Sequence, residues 1–211
     1  MPAQAGTYHW EVPLSVAAIL PVLDEEQAIG PLVRTLLSLD LAEVIVVDGG
    51  SRDRTVAVAE EAGARIVIER RRGYGRACAS GATAASAEVL AFLDGDGADD
   101  PSALPLLLGP VCDGRADLVL GARSRMEAGA LPWHAVLGNR LAAALISLLW
   151  RQHISDLPSF KVIRRRRLIE LGLTEATYGW TIEMIVKAAR RGFRIAEVPL
   201  DYRRRQGGES K

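Results

Sequence analysis

The chain has 211 residues, 49% apolar and 25% charged, with 26 basic side chains against 26 acidic ones and no net charge. That suffices for one folded domain with a substantial core, and it excludes a disordered chain or a polybasic nucleic-acid binder. Two cysteines, Cys78 and Cys112, make no metal spacing and no disulfide framework, and the amino terminus lacks the basic stretch and apolar run of a secretion signal, so a reducing, cytoplasmic setting is expected.

Strand and helix signals alternate from the start. Ser15–Pro21 reads as a strand, Glu26–Leu39 as an amphipathic helix and Glu43–Val47 as a second strand. Ser51 or Asp53 caps the next helix, which runs to about Ala62 before Gly63. Ala64–Ile68 is a third strand. Arg76–Ala87 reads as a helix rich in small residues, suited to close packing on a sheet. Val89–Leu93 is the fourth strand and Leu118–Gly121 the fifth. This alternation predicts an α/β domain built on a mostly parallel sheet.

The last third is less regular. Ala135–Trp150 reads as a helix, Phe160–Ile163 as a short strand, Thr181–Arg191 as a helix and Arg194–Val198 as a final strand before Pro199. Within the first of these, Leu141–Trp150 is an apolar run bounded by Arg140 and Arg151. Its length is short of the roughly 20 residues of a membrane span and suits a core helix or an interfacial one. Charge is uneven along the chain: residues 1–150 carry 12 Lys and Arg against 19 Asp and Glu, and residues 151–211 carry 14 against 7. An acidic half suits a metal, and a basic half suits anions.

Asp94-Gly95-Asp96 follows the apolar run Val89–Leu93 directly. Carboxylates at the carboxyl end of a buried strand lie where open α/β sheets bind ligands, and a pair can hold a hard divalent cation that in turn holds phosphate oxygens. Asp24-Glu25-Glu26 follows the first strand and Asp48 the second, so a parallel sheet would gather all three clusters on one edge. Asp48-Gly49-Gly50-Ser51 adds a flexible turn at a helix start.

Taken in order, these segments resemble the family-2 glycosyltransferases of the GT-A fold, in the dolichyl-phosphate or polyprenyl-phosphate mannosyl- and glucosyltransferase branch. Leu20-Pro21-Val22-Leu23-Asp24-Glu25-Glu26 is similar to that family's opening motif, and Val46–Thr55 to its Val-Val-Asp-Asp-Gly-Ser stretch. Arg72–Ala77 resembles Lys-Gly-x-Gly-x-Ala, and Asp94–Pro101 resembles the Asp-x-Asp segment. Gly121-Ala122-Arg123, Gly138-Asn139-Arg140, Asp156–Lys161, Glu183, Glu197-Val198-Pro199 and Tyr202-x-x-Arg205 through Glu209-Ser210-Lys211 continue the likeness.

The resemblance implies one GT-A domain over residues 1–211, with about 1–125 binding the nucleotide-sugar and about 126–211 serving the acceptor. It implies an inverting transfer of mannose or glucose from a GDP- or UDP-hexose to a polyprenyl or dolichyl phosphate, dependent on Mg²⁺ or Mn²⁺. The chain would then work in the cytoplasm, peripheral to the inner membrane face, against a membrane surface or a membrane-protein partner. Asp96 would be the main metal ligand and a catalytic residue, with Asp94 on the ribose or sugar side and sharing the metal. Pro21, Leu23, Glu25, Asp48, Gly50, Ser51, Arg76 and Gly95 would complete the donor site. Arg123, Arg140, Arg205 and Lys211 are the candidates for gripping an acceptor phosphate, because guanidinium groups hold phosphate by two points. With a hydroxyl acceptor instead, Asp156 or Glu183 would act as base.

Departures from the pattern are specific. Gly49 stands where the family has a second aspartate, and Ala98 where many relatives have glutamine, leaving Asp99, Asp100 or water to take that place. Pro158 and Lys161 alter the Ser-Gly-Phe-Arg motif, and His134 lies near where some relatives carry an arginine. His9 and His153 read as surface or packing residues, Trp133, Trp150 and Trp180 as packing residues or the lining of an acceptor groove, and Arg164–Arg167 as a solvated face or one that touches anionic lipid headgroups. A dehalogenase-type phosphatase is disfavoured because Asp94-Gly95-Asp96 follows the fourth strand rather than the first, and a nucleotidyltransferase because Pro21–Gly30 is no phosphate loop. Gly73-Tyr74-Gly75 lacks the third glycine of a dinucleotide fingerprint. Remaining alternatives are a soluble hydroxyl acceptor and a non-catalytic nucleotide-sugar-binding protein.

Overall fold

A computed structural model describes residues 14–130 and 133–206. His9 and Lys211 lie outside them. Seven strands form one sheet: β1 (Val16–Val22), β2 (Glu43–Asp48), β3 (Arg65–Ile68), β4 (Val89–Phe92), β5 (Leu118–Met126), β6 (Lys161–Arg164) and β7 (Ile195–Tyr202). Seven α-helices accompany them: α1 (Ile29–Leu37), α2 (Thr55–Glu61), α3 (Tyr74–Ala84), α4 (Leu104–Cys112), α5 (Trp133–Trp150), α6 (Arg165–Leu171) and α7 (Gly179–Arg190). The strand order is β3-β2-β1-β4-β6-β5-β7. Neighbours are parallel except β6, which runs antiparallel to both β4 and β5.

Alternation along the central strands divides the core into two layers. Ala17, Ile19, Ile45 and Val47 face one side, where α3, α5, α6 and α7 supply Cys78, Ile146, Leu171 and Met184. Ala18, Leu20, Val44 and Val46 face the other, where α1, α2 and α4 supply Leu32, Ala59 and Leu107. Strands apolar on both faces belong in a sheet covered on both sides. The small residues of α3 bring that helix close: a Cβ on Gly81 would overlap the Ile19 side chain and come within 2.9 Å of Val47. Trp180 is 2% exposed and meets Phe92 edge-on at 5.0 Å, so it packs rather than lines a groove, and Trp150 packs beside the same core.

Several elements differ from the sequence reading. β5 continues five residues beyond Gly121, and β7 runs through Pro199 to Tyr202. β7 is an edge strand, where a proline's missing N–H need break no ladder bond. α4 is not among the elements expected from the sequence, and it contains two prolines. Pro105 lies in the first turn, where no N–H is required, and Pro110 close to the helix end. Nor is Arg164–Arg167 simply a solvated face. Arg164 donates to the Val111 carbonyl at 2.8 Å, and Arg167 lies over the Phe193 ring at 5.0 Å and 3.3 Å from Asp117. Arg164 precedes α6 and Arg165–Arg167 form its first turn, ahead of the buried Leu168 and Leu171.

Candidate functional site

β2, β1 and β4 are adjacent and parallel, so the loops after them emerge together. The first two loops are stitched to each other. The Asp24 N–H donates to Ser51 Oγ at 2.8 Å, Arg52 N–H to Asp24 Oδ1 at 2.7 Å and Glu25 N–H to Thr55 Oγ1 at 2.7 Å. Asp48 accepts from its own turn, with Gly50 N–H at 2.9 Å and Ser51 N–H at 3.1 Å. A cavity of about 1110 Å³ opens where these loops face the last third of the chain.

The wall on the strand side includes Pro21, Leu23, Glu25, Asp94, Gly95 and Asp96. Asp48, Gly50, Ser51 and Arg76 do not line it. Asp48 and Ser51 build the turn that holds the loop, and Arg76 lies at a second hollow beside Thr174 and Glu175. Gly49 does line the cavity, with backbone where the family's second aspartate would stand.

Asp94 Oδ1 is buried with no hydrogen-bond partner, although the Ser159 and Tyr74 hydroxyls lie close enough to favour the ionised form. Burial, and next the Asp96 charge, push its pKa up. Asp96 lines the same wall, and its Oδ1 accepts the Ala98 N–H at 3.0 Å. Two repelling carboxylates, one with an unused buried oxygen, suit a hard divalent cation whose charge would relieve them. Neither Asp99 nor Asp100, next after Ala98, lines the cavity. Asp99 accepts from the Ser159 hydroxyl at 3.0 Å, with its carboxyl pushed up to about 7 by burial and by Asp94. Asp100 caps the turn at Ser102 and pairs with Arg203 at 3.0 Å. Among the described residues no group of three His, Cys, Asp or Glu could hold a metal, so substrate oxygens and water would complete the shell.

Part of the lining is basic and aromatic, and its chain runs beside the Asp96 loop, with the Gln206 N–H donating to the Asp96 carbonyl at 2.8 Å. Arg123, within β5 at its irregularity, lines the cavity and lies over the Tyr202 ring at 5.2 Å. Its guanidinium is tied to Asp156 at 2.6 and 2.7 Å. Burial opposes ionisation of Asp156, but those hydrogen bonds hold its pKa below the ordinary value, so it is a poor base. The loop carrying Asp156 is fastened again by Ser155, whose N–H and hydroxyl both donate to Glu197 at 2.8 Å. Arg205 also lines the cavity and pairs with Glu25.

Glu183, the other candidate base, is not at the cavity. It accepts the Thr174 and Glu175 N–H groups at 3.0 and 2.8 Å and pairs with Lys187 at 2.7 Å; burial opposes these contacts, yet they hold its pKa at about 2. It therefore fixes the start of α7. Arg140 is exposed on α5 and also misses the cavity, while its neighbour Asn139 lines it. Lys211 lies outside the described residues.

Other lining residues carry no site role in the sequence reading. Tyr74 and Tyr178 stack at 5.6 Å and 19°, a pair 104 positions apart that no local pattern signals. Arg72, which opens the Arg72–Ala77 motif, and Arg204, beside Arg205, line the cavity too. Gly73, between Arg72 and Tyr74, has φ 139°, and any Cβ there would overlap the Ala176 carbonyl. Beneath the wall Lys161 is fully buried. Its ammonium donates to the Pro158 and Ser159 carbonyls at 3.2 and 3.0 Å and to the Thr181 hydroxyl at 2.9 Å.

Comparison with known proteins agrees with this geometry. The family model described as glycosyl transferase family 2 matches residues 17–172. The chain is 35% identical over 197 residues to an uncharacterized glycosyltransferase of Mycobacterium tuberculosis, covering 93% of this chain and 89% of that one. It is 34% identical over 195 residues to a dolichyl-phosphate hexose transferase of Haloferax volcanii, covering 91% and 84%. Among solved structures it resembles glucosyl-3-phosphoglycerate synthase from Mycobacterium tuberculosis, crystallised with Mn²⁺, UDP-glucose and phosphoglyceric acid. That likeness has a TM-score of 0.78 at 25% identity and covers 94% of this chain and 73% of that one.

Proposed function

Since this chain belongs to glycosyl transferase family 2, we propose that it moves a hexose from a nucleotide-diphosphate sugar onto the phosphate of a polyprenyl-phosphate acceptor. The carrying observation is that the two foreseen bases are spent: Asp156 is locked to Arg123, and Glu183 is fixed at the start of α7. A hydroxyl acceptor would need one of them, whereas a phosphate is already ionised at neutral pH and needs only positioning. The likeness to the dolichyl-phosphate hexose transferase supports the same acceptor class.

Asp94 and Asp96 would hold Mg²⁺ or Mn²⁺ against the donor diphosphate, and that cation would supply neutralisation of charge on the leaving group. The protein's own residues do the rest. Gly49, Gly95 and Leu23 give the donor a close, largely apolar bed. Glu25 offers a carboxylate to ribose or base hydroxyl groups, and the Tyr74–Tyr178 pair offers a flat face to a sugar ring. Arg123, Arg204 and Arg205 hold the acceptor phosphate with an oxygen aimed at the anomeric carbon, on the side away from the departing diphosphate, which inverts configuration. That oxygen forms the new bond as the carbon–diphosphate bond breaks, and no proton needs to move.

A second reading has its own support. The likeness to glucosyl-3-phosphoglycerate synthase, crystallised with phosphoglyceric acid, favours a small anionic acceptor in the same basic wall. A screen of UDP- and GDP-hexoses with Mn²⁺, followed by transfer to a short polyprenyl phosphate or to phosphoglyceric acid, separates the two. Product only on phosphoglyceric acid would overturn the lipid reading.

A further inference from the structure

α5 has two unlike faces. Ala143 and Ile146 are buried, and Ala142 and Trp150 pack beside them in the layer shared with α7. Leu137, Leu141, Leu145, Leu148 and Leu149 point elsewhere. Leu145, the most covered of them, is still 51% exposed, and Leu148 is 77% exposed. The spacings of four and three put them in one outward row. A lone exposed leucine is ordinary, but five on one helix face mark a surface that meets something.

We propose that this row docks the protein on an anionic lipid surface, an inference that rests on the lipid-phosphate reading above. The first argument is charge. α5 carries no Asp or Glu, and the exposed Arg140 and Arg151 lie within and just beyond the row. Leucines sunk to the acyl boundary beside arginines at headgroup level describe a helix lying in the plane of a membrane interface. Among the described residues no helix is long and apolar enough to cross a bilayer, so α5 would lie on one rather than span it.

The second argument is size. An 18-residue helix is about 27 Å long and about 10 Å wide, so its outer face projects only about 270 Å². A stable dimer buries about 800 Å² on each partner. A bilayer needs no matching partner surface, and a single apolar stripe is enough to hold an interfacial helix. The third argument is position. Asn139 of α5 lines the cavity, as do Gly129 and Ala130 before the helix. A lipid phosphate could enter the cavity near Arg123 while its chain stays beside the leucine row.

The test is co-sedimentation of the full chain with vesicles of phosphatidylcholine alone and of phosphatidylcholine with phosphatidylglycerol in equal parts. Binding should require the anionic lipid, and the double substitution Leu145→Glu/Leu148→Glu should weaken it by more than about tenfold. Mn²⁺-dependent binding of the preferred UDP- or GDP-hexose by that variant should be unchanged, which shows that it folds. Unchanged vesicle binding in the variant would overturn the proposal. So would a wild-type dimer in sedimentation equilibrium that the same substitutions dissociate. Transfer to a short, water-soluble polyprenyl phosphate is measured alongside without vesicles. Its loss with vesicle binding intact would refute the acceptor reading alone, and the reverse pattern would refute the docking surface alone.

Discussion

Arg123 grips Asp156 with two nitrogens at once, Nε at 2.6 Å from Oδ2 and Nη2 at 2.7 Å from Oδ1, and the two side chains are only 8% and 14% exposed. A bidentate pair with so little water around it fixes the guanidinium plane. The Asp156 carboxylate thereby aims an arginine into the cavity.

The first prediction follows from that pairing. Asp156→Asn should cost about 3 kcal/mol of stability, because Arg123 is left as a largely buried, uncompensated charge. Urea denaturation measures it. If Asp156 acts only through Arg123, the double variant Arg123→Ala/Asp156→Ala should transfer sugar no more slowly than Arg123→Ala alone. A further loss of a hundredfold or more, on the scale of a missing general base, would restore Asp156 as the base.

Glu183 provides a test by pH. Its pKa is about 2 in the fold against an ordinary 4.5. A depressed carboxylate contributes stability above the unfolded pKa and loses it as pH falls through the folded one. Glu183→Gln should therefore be destabilised at pH 7 by about 1 kcal/mol, and the gap from wild type should close as pH falls from about 4.5 toward about 2. A gap that does not narrow in thermal melts over that range would contradict the assignment.

Arg205 lines the cavity and pairs with Glu25, so in the proposed reaction it would face both substrates. Arg205→Ala should raise acceptor KM more than donor KM in steady-state kinetics. A rise confined to donor KM would place its work at Glu25 instead.

Lys161 is fully buried and holds three oxygens, from Pro158, Ser159 and Thr181. Lys161→Met should cost about 3 kcal/mol by leaving them unpaired. Wild-type stability in that variant would mean that desolvation of the ammonium cancels what its bonds contribute.

Much of this arrangement is written in local patterns. The runs Val16–Leu20, Val44–Val47 and Val89–Leu93 are apolar on both faces and end in acidic or glycine-rich turns, so both the parallel strands and the acidic edge were legible. Small residues foretold the close seat of α3. Long-range choices were not legible. Nothing near Lys161–Arg164 says that this strand inserts antiparallel between β4 and β5, and nothing near Tyr178 says that it stacks on Tyr74. Asp48 and Glu183 were read as reaching a ligand because their types and motifs allowed it. In the fold their oxygens answer nearby backbone N–H groups, a competition that sequence spacing does not resolve.

The central claim is metal-dependent hexose transfer to an ionised phosphate through Asp94 and Asp96. The most direct measurement is radiolabelled hexose transfer from the preferred UDP- or GDP-hexose to a short polyprenyl phosphate, with and without Mn²⁺, in wild type and Asp96→Ala. The account predicts Mn²⁺-dependent product in wild type, and none in a variant that melts at the wild-type temperature. Wild-type turnover by Asp96→Ala, or full turnover in excess chelator, would contradict it.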